Sequence, residues 1–317
     1  MGSDTTSDAP IVVKPKLAHR LVEVQTARST MDKIKAFKGF SPSELVPVAP
    51  STSEPRTGLS MGQHTELMAQ EWKISREDQD RLAYESHRKA AEAYRSGYMD
   101  DLIVPFAGVF RDNNLREDIN LEKLATLKPA FDKERGTLTA ANSTPLTDGA
   151  AAVLLGSEEW AASRGLPVQA YLTYSQTAAN NFVDGEGLLM APTVAISKML
   201  DRAGLKLQDF DFYEIHEAFA AQVLATLKAF EDADYCKKRL GRDAPMGSID
   251  RAKMNVRGSS LAFGHPFAAT GARIVANLAK LLAERGGRGL ISVCTAGGMG
   301  VAAIMESAKA AEMRVAA

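Results

Sequence analysis

The chain has 317 residues, of which 45% are hydrophobic and 24% are charged, so it is long enough to bury a large core and excludes a disordered composition. Its 38 lysines and arginines balance 39 aspartates and glutamates, and we therefore expect no nucleic-acid partner. The two cysteines, Cys236 and Cys294, are too few for a disulfide framework and indicate a reducing compartment.

The opening of the chain, MGSDTTSDAP, shows no targeting pattern. It has polar and acidic residues where a signal peptide has a basic end and an apolar run, and no apolar stretch of the sequence reaches membrane-spanning length. We expect a soluble protein of the bacterial cytoplasm, or of the mitochondrial matrix if the source is a eukaryote.

Residues 14–38 form a basic segment with apolar residues at intervals. The spacing predicts a basic amphipathic helix or a helix pair. It is either a solvated surface helix or a contact for an anionic membrane surface or a partner subunit. Its basic residues are Lys14, Lys16, Arg20, Arg28, Lys33, Lys35 and Lys38, against only Glu23 and Asp32. Residues 46–60, with several Pro, Ser and Thr, predict a connecting loop.

Capping signals and periodicity predict a helix from about Ser75 to Arg95, ended by Gly97. Beyond it, short apolar runs alternate with helical patterns, which is typical of a layered α/β architecture. The predicted strands are 151–155, 168–174, 210–215, 290–294 and 301–305, and the predicted helices are 192–203, 217–230 and 268–284. Only the turn AGGMG separates the last two strands, so we expect them to form an antiparallel hairpin.

Two later segments each combine a histidine with a helix start. In EIHEAFAAQ, residues 214–222, His216 follows a predicted strand, and the carboxyl edges of open α/β sheets usually bind ligands. A lone histidine in that position is also common as a structural residue. In NVRGSSLAFGHPFAATGAR, residues 255–273, His265 precedes a helix that starts near Ala268, which favours a neutral imidazole able to donate to an oxyanion.

The segment CTAGGMG, residues 294–300, puts Cys294 at the end of a predicted strand. A buried cysteine is usually inert. This one faces a glycine turn whose N–H groups can bind an anion, and a nearby imidazole can lower the pKa of its thiol. Cys236, in the charged stretch EDADYCKKR, is expected to be an incidental surface or packing residue.

These segments, in this order, resemble the thiolase family. HEAFA resembles the family's NEAFA block with histidine in place of asparagine, and the other two resemble its GHPxGxSGxR and CxGGGxG signatures. Upstream, GTLTAANSTPLTDGAAAVLL (136–155) and MGQHTELMAQEW (61–72) are similar to its GTVTAGNASxxxDGAAA and MGxTAE stretches. The resemblance covers essentially the whole chain, with departures at Ser60, Phe267, Ala268 and Ala296.

The resemblance implies a thiolase-like layered αβαβα fold of the α/β class, incomplete at its N-terminus. It implies a partial N-terminal domain at 1–150, with an inserted loop domain at about 5–135, and a C-terminal domain at 151–317, the strand 151–155 belonging to the N-terminal sheet. The histidine at 216 and the basic segment resemble the subgroup that forms β subunits of trifunctional fatty-acid-oxidation complexes. That likeness implies a homodimer or higher oligomer and an α-subunit partner.

The implied activity is that of an acyl-CoA C-acyltransferase of fatty acid β-oxidation. It cleaves 3-ketoacyl-CoA with CoA into acetyl-CoA and a shortened acyl-CoA, or runs the reverse condensation, through a covalent cysteine intermediate. By resemblance, Cys294 is the acid/base, and His265 activates the nucleophile and donates to the thioester oxygen. His216 orients a water or donates directly in the same oxyanion hole.

The resemblance also implies positions for CoA and acyl-CoA, the expected substrates. They are Met61, Ala140, Ala141, Thr144, Ala218 and Phe219, and their alternative interpretation is ordinary core. No metal or redox cofactor motif is found, so we expect no cofactor.

The family's Cys-x-Ser/Thr-Gly nucleophile segment has no counterpart among these residues, and GSDTTSDAP resembles the stretch that follows it. We therefore expect a fragment or a misplaced start. A non-catalytic thiolase-like CoA-binding or scaffold protein is the second hypothesis. A ketoacyl-carrier-protein synthase, which shares the layered fold, is disfavoured because that class uses two histidines without a C-terminal CxGG cysteine.

Overall fold

A computed structural model describes residues 2–4, 12–48 and 53–315. The chain divides into two compact units. We call residues 6–53 the helical unit, and residues 1–5 with 54–317 the main unit.

The helical unit contains α1 (Pro15–Thr26), α2 (Thr30–Ala36) and a 3₁₀ turn (Pro42–Leu45). The hydroxyl of Ser29 caps α2 by accepting a backbone N–H from its first turn. The Arg20 guanidinium links the elements, since it lies 2.8 Å from the Glu44 carboxylate and donates to the Ala36 carbonyl at 2.7 Å. The predicted helix pair is confirmed.

The main unit contains the remaining helices and all the strands among the described residues. In chain order they are β1 (Gly2–Asp4), α3 (Met61–Glu71), α4 (Arg76–Arg95), α5 (Leu121–Ala125), β2 (Gly149–Ala151), α6 (Glu158–Ser163), β3 (Tyr171–Ala179), α7 (Ala191–Ala203), β4 (Phe212–Ile215), α8 (Ala220–Glu231), α9 (Ala233–Leu240), α10 (Ser260–Phe263), α11 (Phe267–Arg285), β5 (Arg288–Thr295), β6 (Met299–Glu306) and α12 (Ala308–Val315). Short 3₁₀ turns lie at Phe182–Asp184, Arg251–Lys253 and Ala296–Gly298.

Four strands form one mixed sheet in the order β3-β6-β5-β4. β6 pairs antiparallel with both β3 and β5, whereas β4 runs parallel to β5. Helices cover both faces, because Leu290 and Cys294 of β5 belong to the core shared with α7 and α8, while Ile291 packs on α11. β1 and β2 form a separate two-stranded antiparallel sheet.

The α/β class is confirmed, and so are the antiparallel hairpin of β5 and β6 and the helix at 76–95, whose N-cap is Ser75. Two predicted strands have wrong boundaries. The strand predicted at 168–174 spans 171–179, where it pairs along β6. The strand predicted at 151–155 ends at Ala151, the last residue paired with β1. The domain boundary predicted between residues 150 and 151 falls within β2 and stays a prediction.

Candidate active site at the carboxyl ends of β4 and β5

His216 directly follows the last residue of β4, as predicted. Its backbone N–H donates to the Ser292 carbonyl at 2.8 Å, which continues the pairing of β4 with β5 by one residue. The side chain is buried, and its Nε2 has no hydrogen-bond partner within the described ranges. A buried polar atom without a partner is costly, so such an atom is a signal of function.

His265 reaches the same place from the loop between α10 and α11. The preceding Gly264 has φ +88°, and a Cβ there would lie 2.5 Å from the Thr147 side chain, so the loop requires glycine. The two imidazole rings lie 4.2 Å apart, centroid to centroid. His265 Nδ1 is 2.6 Å from the Thr270 hydroxyl on the first turns of α11, which begins one residue earlier than predicted.

Cys294, near the end of β5, completes the cluster. Its Sγ lies 3.6 Å from Nδ1 of His216, within the range of a sulfur hydrogen bond. Gly300 is its partner on β6, and a Cβ at Gly300 would lie 2.4 Å from the backbone nitrogen of Pro192. The glycine turn therefore lets the start of α7 approach the strand end that carries Cys294.

Burial keeps the His216–Cys294 pair uncharged. The pKa of His216 is held well below its usual value by burial, and secondly by the neighbouring His265 and the Arg273 guanidinium. Burial raises the pKa of the Cys294 thiol to about 12. The nearby imidazole does not lower this thiol pKa, because an imidazole that is itself buried and neutral does not stabilise a thiolate.

A cavity of about 360 Å³ is lined by part of the predicted CoA set and by Leu261 of α10. Ala140 and Ala141 line it, together with Ser143, whose buried hydroxyl oxygen has no partner among the described atoms. Two cations that the sequence patterns did not single out, Arg116 and Lys123, also line it. Both lie in a charged stretch without periodicity, so sequence gave no signal for them.

The other predicted CoA positions are not in the cavity wall. Met61 is the first residue of α3 and packs against the main core. Thr144 joins two loops, donating its backbone N–H to the Ala218 carbonyl and its hydroxyl to the Ser260 carbonyl, both at 3.0 Å. Phe219 packs edge-on against Phe131 with 5.9 Å between ring centroids. Packing and backbone hydrogen bonds account for the positions of Met61, Thr144, Ala218 and Phe219.

Cys236 is far less exposed than its charged sequence neighbours suggest. It is fully buried in α9, and its thiol contacts the carbonyl oxygens of Ala229 and Phe230, both at 3.5 Å. The packing interpretation is therefore confirmed, and the surface interpretation is wrong.

Within residues 2–4, 12–48 and 53–315, no group of three or more His, Cys, Asp or Glu side chains is arranged to hold a metal ion. No helix within those ranges has both the length and the apolar composition to cross a bilayer.

Comparisons with known proteins were made with both the sequence and the fold. Residues 24–159 match the profile of the thiolase N-terminal domain, and residues 167–307 match that of the thiolase C-terminal domain. The chain is 47% identical over 313 residues to a 3-ketoacyl-CoA thiolase of Shewanella sp. (strain W3-18-1), a match that covers 96% of this chain and 71% of the relative. A 3-ketoacyl-CoA thiolase of Pectobacterium carotovorum is also 47% identical, with the same coverage.

Solved structures give the same result. The acetyl-CoA acetyltransferase of Bacillus anthracis superimposes with a TM-score of 0.73 at 33% identity, over 96% of this chain and 70% of that one. Human mitochondrial 3-ketoacyl-CoA thiolase superimposes with a TM-score of 0.72 at 27% identity, over 97% of this chain and 70% of that one.

Proposed function

Because this chain belongs to the thiolase family, we propose that it acts as an acyl-CoA C-acyltransferase of fatty acid β-oxidation, cleaving 3-ketoacyl-CoA with CoA or running the reverse condensation. The observation that carries the proposal is the convergence of His216, His265 and Cys294 from three distant segments. A thiolase-type reaction needs an oxyanion donor, a base and a proton donor at one point, and these three side chains can supply them.

His216 is proposed as an oxyanion donor. A neutral imidazole carries one N–H, and we propose the tautomer in which Nδ1 accepts from the Cys294 thiol in the 3.6 Å contact. The N–H is then on Nε2, which is the buried atom without a partner in the described part of the chain. An N–H that is already oriented and desolvated stabilises a developing negative charge on a thioester oxygen better than water does.

His265 is proposed as the base that activates the nucleophile. The Thr270 hydroxyl donates its only hydrogen to the Pro266 carbonyl at 3.1 Å, so in its 2.6 Å contact with His265 the threonine oxygen accepts from Nδ1–H. This tautomer leaves the lone pair on Nε2, as a general base requires. Once Nε2 has taken a proton, it can donate to the same oxyanion.

Cys294 is proposed as the acid/base. The nucleophilic cysteine of the family's reaction gives its proton to His265, attacks C3 of the substrate and takes the acyl group as a thioester. The bond between C2 and C3 breaks, its electron pair stays on the acetyl-CoA carbon, and the Cys294 thiol gives that carbon a proton. The Cys294 thiolate then takes the proton of the incoming CoA thiol, whose sulfur attacks the acyl thioester, and the nucleophilic cysteine leaves with the proton held by His265. The raised pKa of Cys294 fits this order, because the residue begins the cycle protonated.

The cavity lined by Ala140 and Ala141 is the proposed CoA site. The alanines, leucines and proline of its mixed wall suit a pantetheine arm, and Arg116 and Lys123, the latter 3.7 Å from the Asp118 carboxylate, can pair with phosphate groups. Met61, Thr144, Ala218 and Phe219 remain in the proposal as residues that shape the neighbouring loops. CoA and acyl-CoA enter as substrates.

The alternative is a CoA-binding protein without turnover. It rests on the cavity lined by Ala140, Ala141, Arg116 and Lys123, which can bind CoA whether or not a reaction follows. The layered fold with Cys294 in place makes a ketoacyl-carrier-protein synthase the weakest candidate.

Two measurements on the same preparation separate these candidates. Calorimetry with CoA tests binding, and chromatography of a mixture of CoA and a 3-ketoacyl-CoA tests for acetyl-CoA formation. Binding with turnover supports the enzyme, binding without turnover supports the CoA-binding protein, and no binding contradicts both. A matched variant, Arg116→Ala with Lys123→Ala, is expected to weaken CoA binding by about tenfold or more through the loss of two phosphate contacts.

The helical unit is proposed as the contact for an anionic surface, either a membrane or the α subunit of a trifunctional complex. Met31 and Ile34 on α2 are largely exposed, and Lys33 and Lys35 flank Ile34 on the same short helix. Apolar side chains flanked by lysines suit such a surface. We also propose that the protein forms a homodimer or a higher oligomer. Its proposed compartment is the cytoplasm, or the mitochondrial matrix.

Charge reversal tests this contact. Lys33→Glu, Lys35→Glu and Lys38→Glu together are expected to lower affinity for phosphatidylserine vesicles by about 100-fold, at about 1 kcal/mol per basic residue. The matched control reverses Lys206, Lys237 and Lys238 of the main unit. An equal loss of vesicle affinity in both variants, or no loss in either, would exclude the helical unit as the vesicle contact. If the variant of the helical unit still binds an α subunit, only the membrane role remains.

A further inference from the structure

A second group of buried polar residues lies behind the two imidazoles. Glu217 follows His216 in the chain, and its side chain is almost fully buried. Its carboxylate accepts three hydrogen bonds, from the Ser86 hydroxyl at 2.6 Å, the Asn255 amide at 2.7 Å and the Leu261 backbone N–H at 3.3 Å. A buried carboxylate with three donors is fully paired and holds its donors in fixed positions.

Asn255 extends this group to the strand that carries His216. Its amide oxygen accepts from the Ile215 N–H at 2.8 Å, and its amide nitrogen donates to the Ile215 carbonyl at 2.9 Å as well as to Glu217. The side chain thus pairs with the free edge of β4 as a neighbouring strand would. Asn255 has φ +46°, a left-handed conformation that asparagine tolerates better than most residues.

The same carboxylate reaches the segment that carries His265. Leu261 lies in α10, a single turn whose C-cap, Gly264, immediately precedes His265. Ser86, on α4, accepts the Ser259 N–H at 3.1 Å while it donates to Glu217. One side chain therefore holds the backbone on both sides of the imidazole pair.

We infer that Glu217, with Asn255 and Ser86, is a positioning group that fixes the distance and angle between His216 and His265. Glu217 touches neither imidazole ring in any contact given above, so it acts through backbone placement. The inference rests on the proposed function for its effect on turnover, but the imidazole geometry can be measured without turnover. Groups that orient a catalytic shell typically change activity by about 10-fold to 100-fold when they are removed.

Glu217→Gln is the sharpest test, because glutamine keeps the shape and cannot satisfy the three donors. If the glutamine NH₂ faces the Asn255 NH₂, two donors face each other without an acceptor. If the glutamine NH₂ faces the Leu261 N–H instead, two donors again face each other. The matched control is Glu214→Gln, which alters a second buried carboxyl group close by on β4, bonded to Asn277 rather than to this group.

The readout is the set of imidazole signals in ¹H–¹⁵N NMR spectra of a protein with five histidines. We expect Glu217→Gln to shift the signals of both His216 and His265, to leave His19 and His64 unchanged, and to lower kcat about 10-fold to 100-fold with little change in KM. Glu214→Gln is expected to leave the His265 signal in place.

A reciprocal exchange sharpens the assignment. In Glu217→Gln with Asn255→Asp, the glutamine NH₂ can donate to the new carboxylate while its oxygen still accepts from Ser86 and Leu261. We expect the His265 signal to return towards that of the unaltered protein. The His216 signal is expected to stay shifted, because the Ile215 carbonyl then faces an oxygen that cannot donate.

Unshifted His216 and His265 signals in folded Glu217→Gln would overturn the inference, and so would equal shifts in all five histidines. If that variant does not fold, Ser86→Ala decides, since it removes one donor and must shift His265 for the inference to stand. Shifted signals in a protein that never forms acetyl-CoA would support the positioning group and count against the proposed activity alone.

Discussion

The two cysteines of this chain lie in regions that are equally buried and chemically different. Around Cys236, in α9, the thiol contacts two backbone carbonyls and packing surrounds it. Around Cys294, the thiol faces His216, and both Nε2 of that histidine and the buried hydroxyl of Ser292 have no partner among the described residues. Burial alone therefore does not distinguish a packing thiol from a reactive one; the unpaired polar atoms beside it do.

The difference has an energetic meaning. Each buried polar atom without a partner costs about 1–3 kcal/mol relative to a paired one. The Cys236 region carries no such cost at its thiol, whereas the Cys294 region carries it at two neighbouring side chains. A site that binds a substrate oxygen recovers that cost only when the substrate is present, which is how preorganised oxyanion sites work.

The largest expected contrast is in turnover. Cys294→Ala is expected to lower the rate of acetyl-CoA formation by about 10²-fold to 10⁴-fold, the usual contribution of a positioned acid/base. CoA affinity, measured by calorimetry, is expected to stay within a few fold. Cys236→Ala serves as the control, and a rate for Cys294→Ala close to that of the control would exclude the acid/base role.

A second contrast is in the pH dependence of stability. Burial raises the pKa of Glu214, on β4, from 4.5 to about 8. Between these values the folded protein binds more protons than the unfolded chain, so the free energy of unfolding falls as pH rises. The pKa of His87 is lowered from 6.5 to about 4 by burial, and its opposite contribution is complete above pH 6.5.

Between pH 6.5 and 8 the Glu214 contribution is expected to reduce the free energy of unfolding by up to roughly 2 kcal/mol, at about 1.4 kcal/mol per pH unit. Urea unfolding at the two pH values measures this change. In Glu214→Gln the free energy of unfolding is expected to depend less on pH over this range. Glu231→Gln, which alters an exposed carboxyl group, should leave the slope unchanged. An unchanged slope in Glu214→Gln would show that this carboxyl group is not its source.

The smallest expected effect is at the packing cysteine. Cys236→Ala removes one buried atom and is expected to lower the free energy of unfolding by about 1 kcal/mol, as for the loss of a buried methylene. Turnover should be unaffected. Thermal unfolding and turnover are measured for Cys236→Ala and Cys294→Ala side by side. Loss of activity in a fully stable Cys236→Ala protein would contradict the assignment of Cys236 as a packing residue.

Local signals were enough to predict the elements whose hydrogen bonds are local. Ser75 and the periodic apolar positions predicted α4, the AGGMG turn predicted the β5–β6 hairpin, and the run before His216 predicted β4. The strand predicted at 151–155 was wrong because its length depends on a partner: β2 ends where its pairing with β1 ends. Pairing partners distant in sequence leave no periodic signal of their own.

The sequence by itself determined the family, the α/β class and the three candidate side chains, because glycine turns, helix starts and strand ends are written in consecutive residues. Only the tertiary structure decided that His216, His265 and Cys294 meet, that burial raises the pKa of Cys294 despite the imidazole beside it, and that Glu217 bonds to Ser86, Asn255 and Leu261. Those properties depend on desolvation and on contacts between segments far apart in the chain, and neither exists until the sheet and its helices have packed.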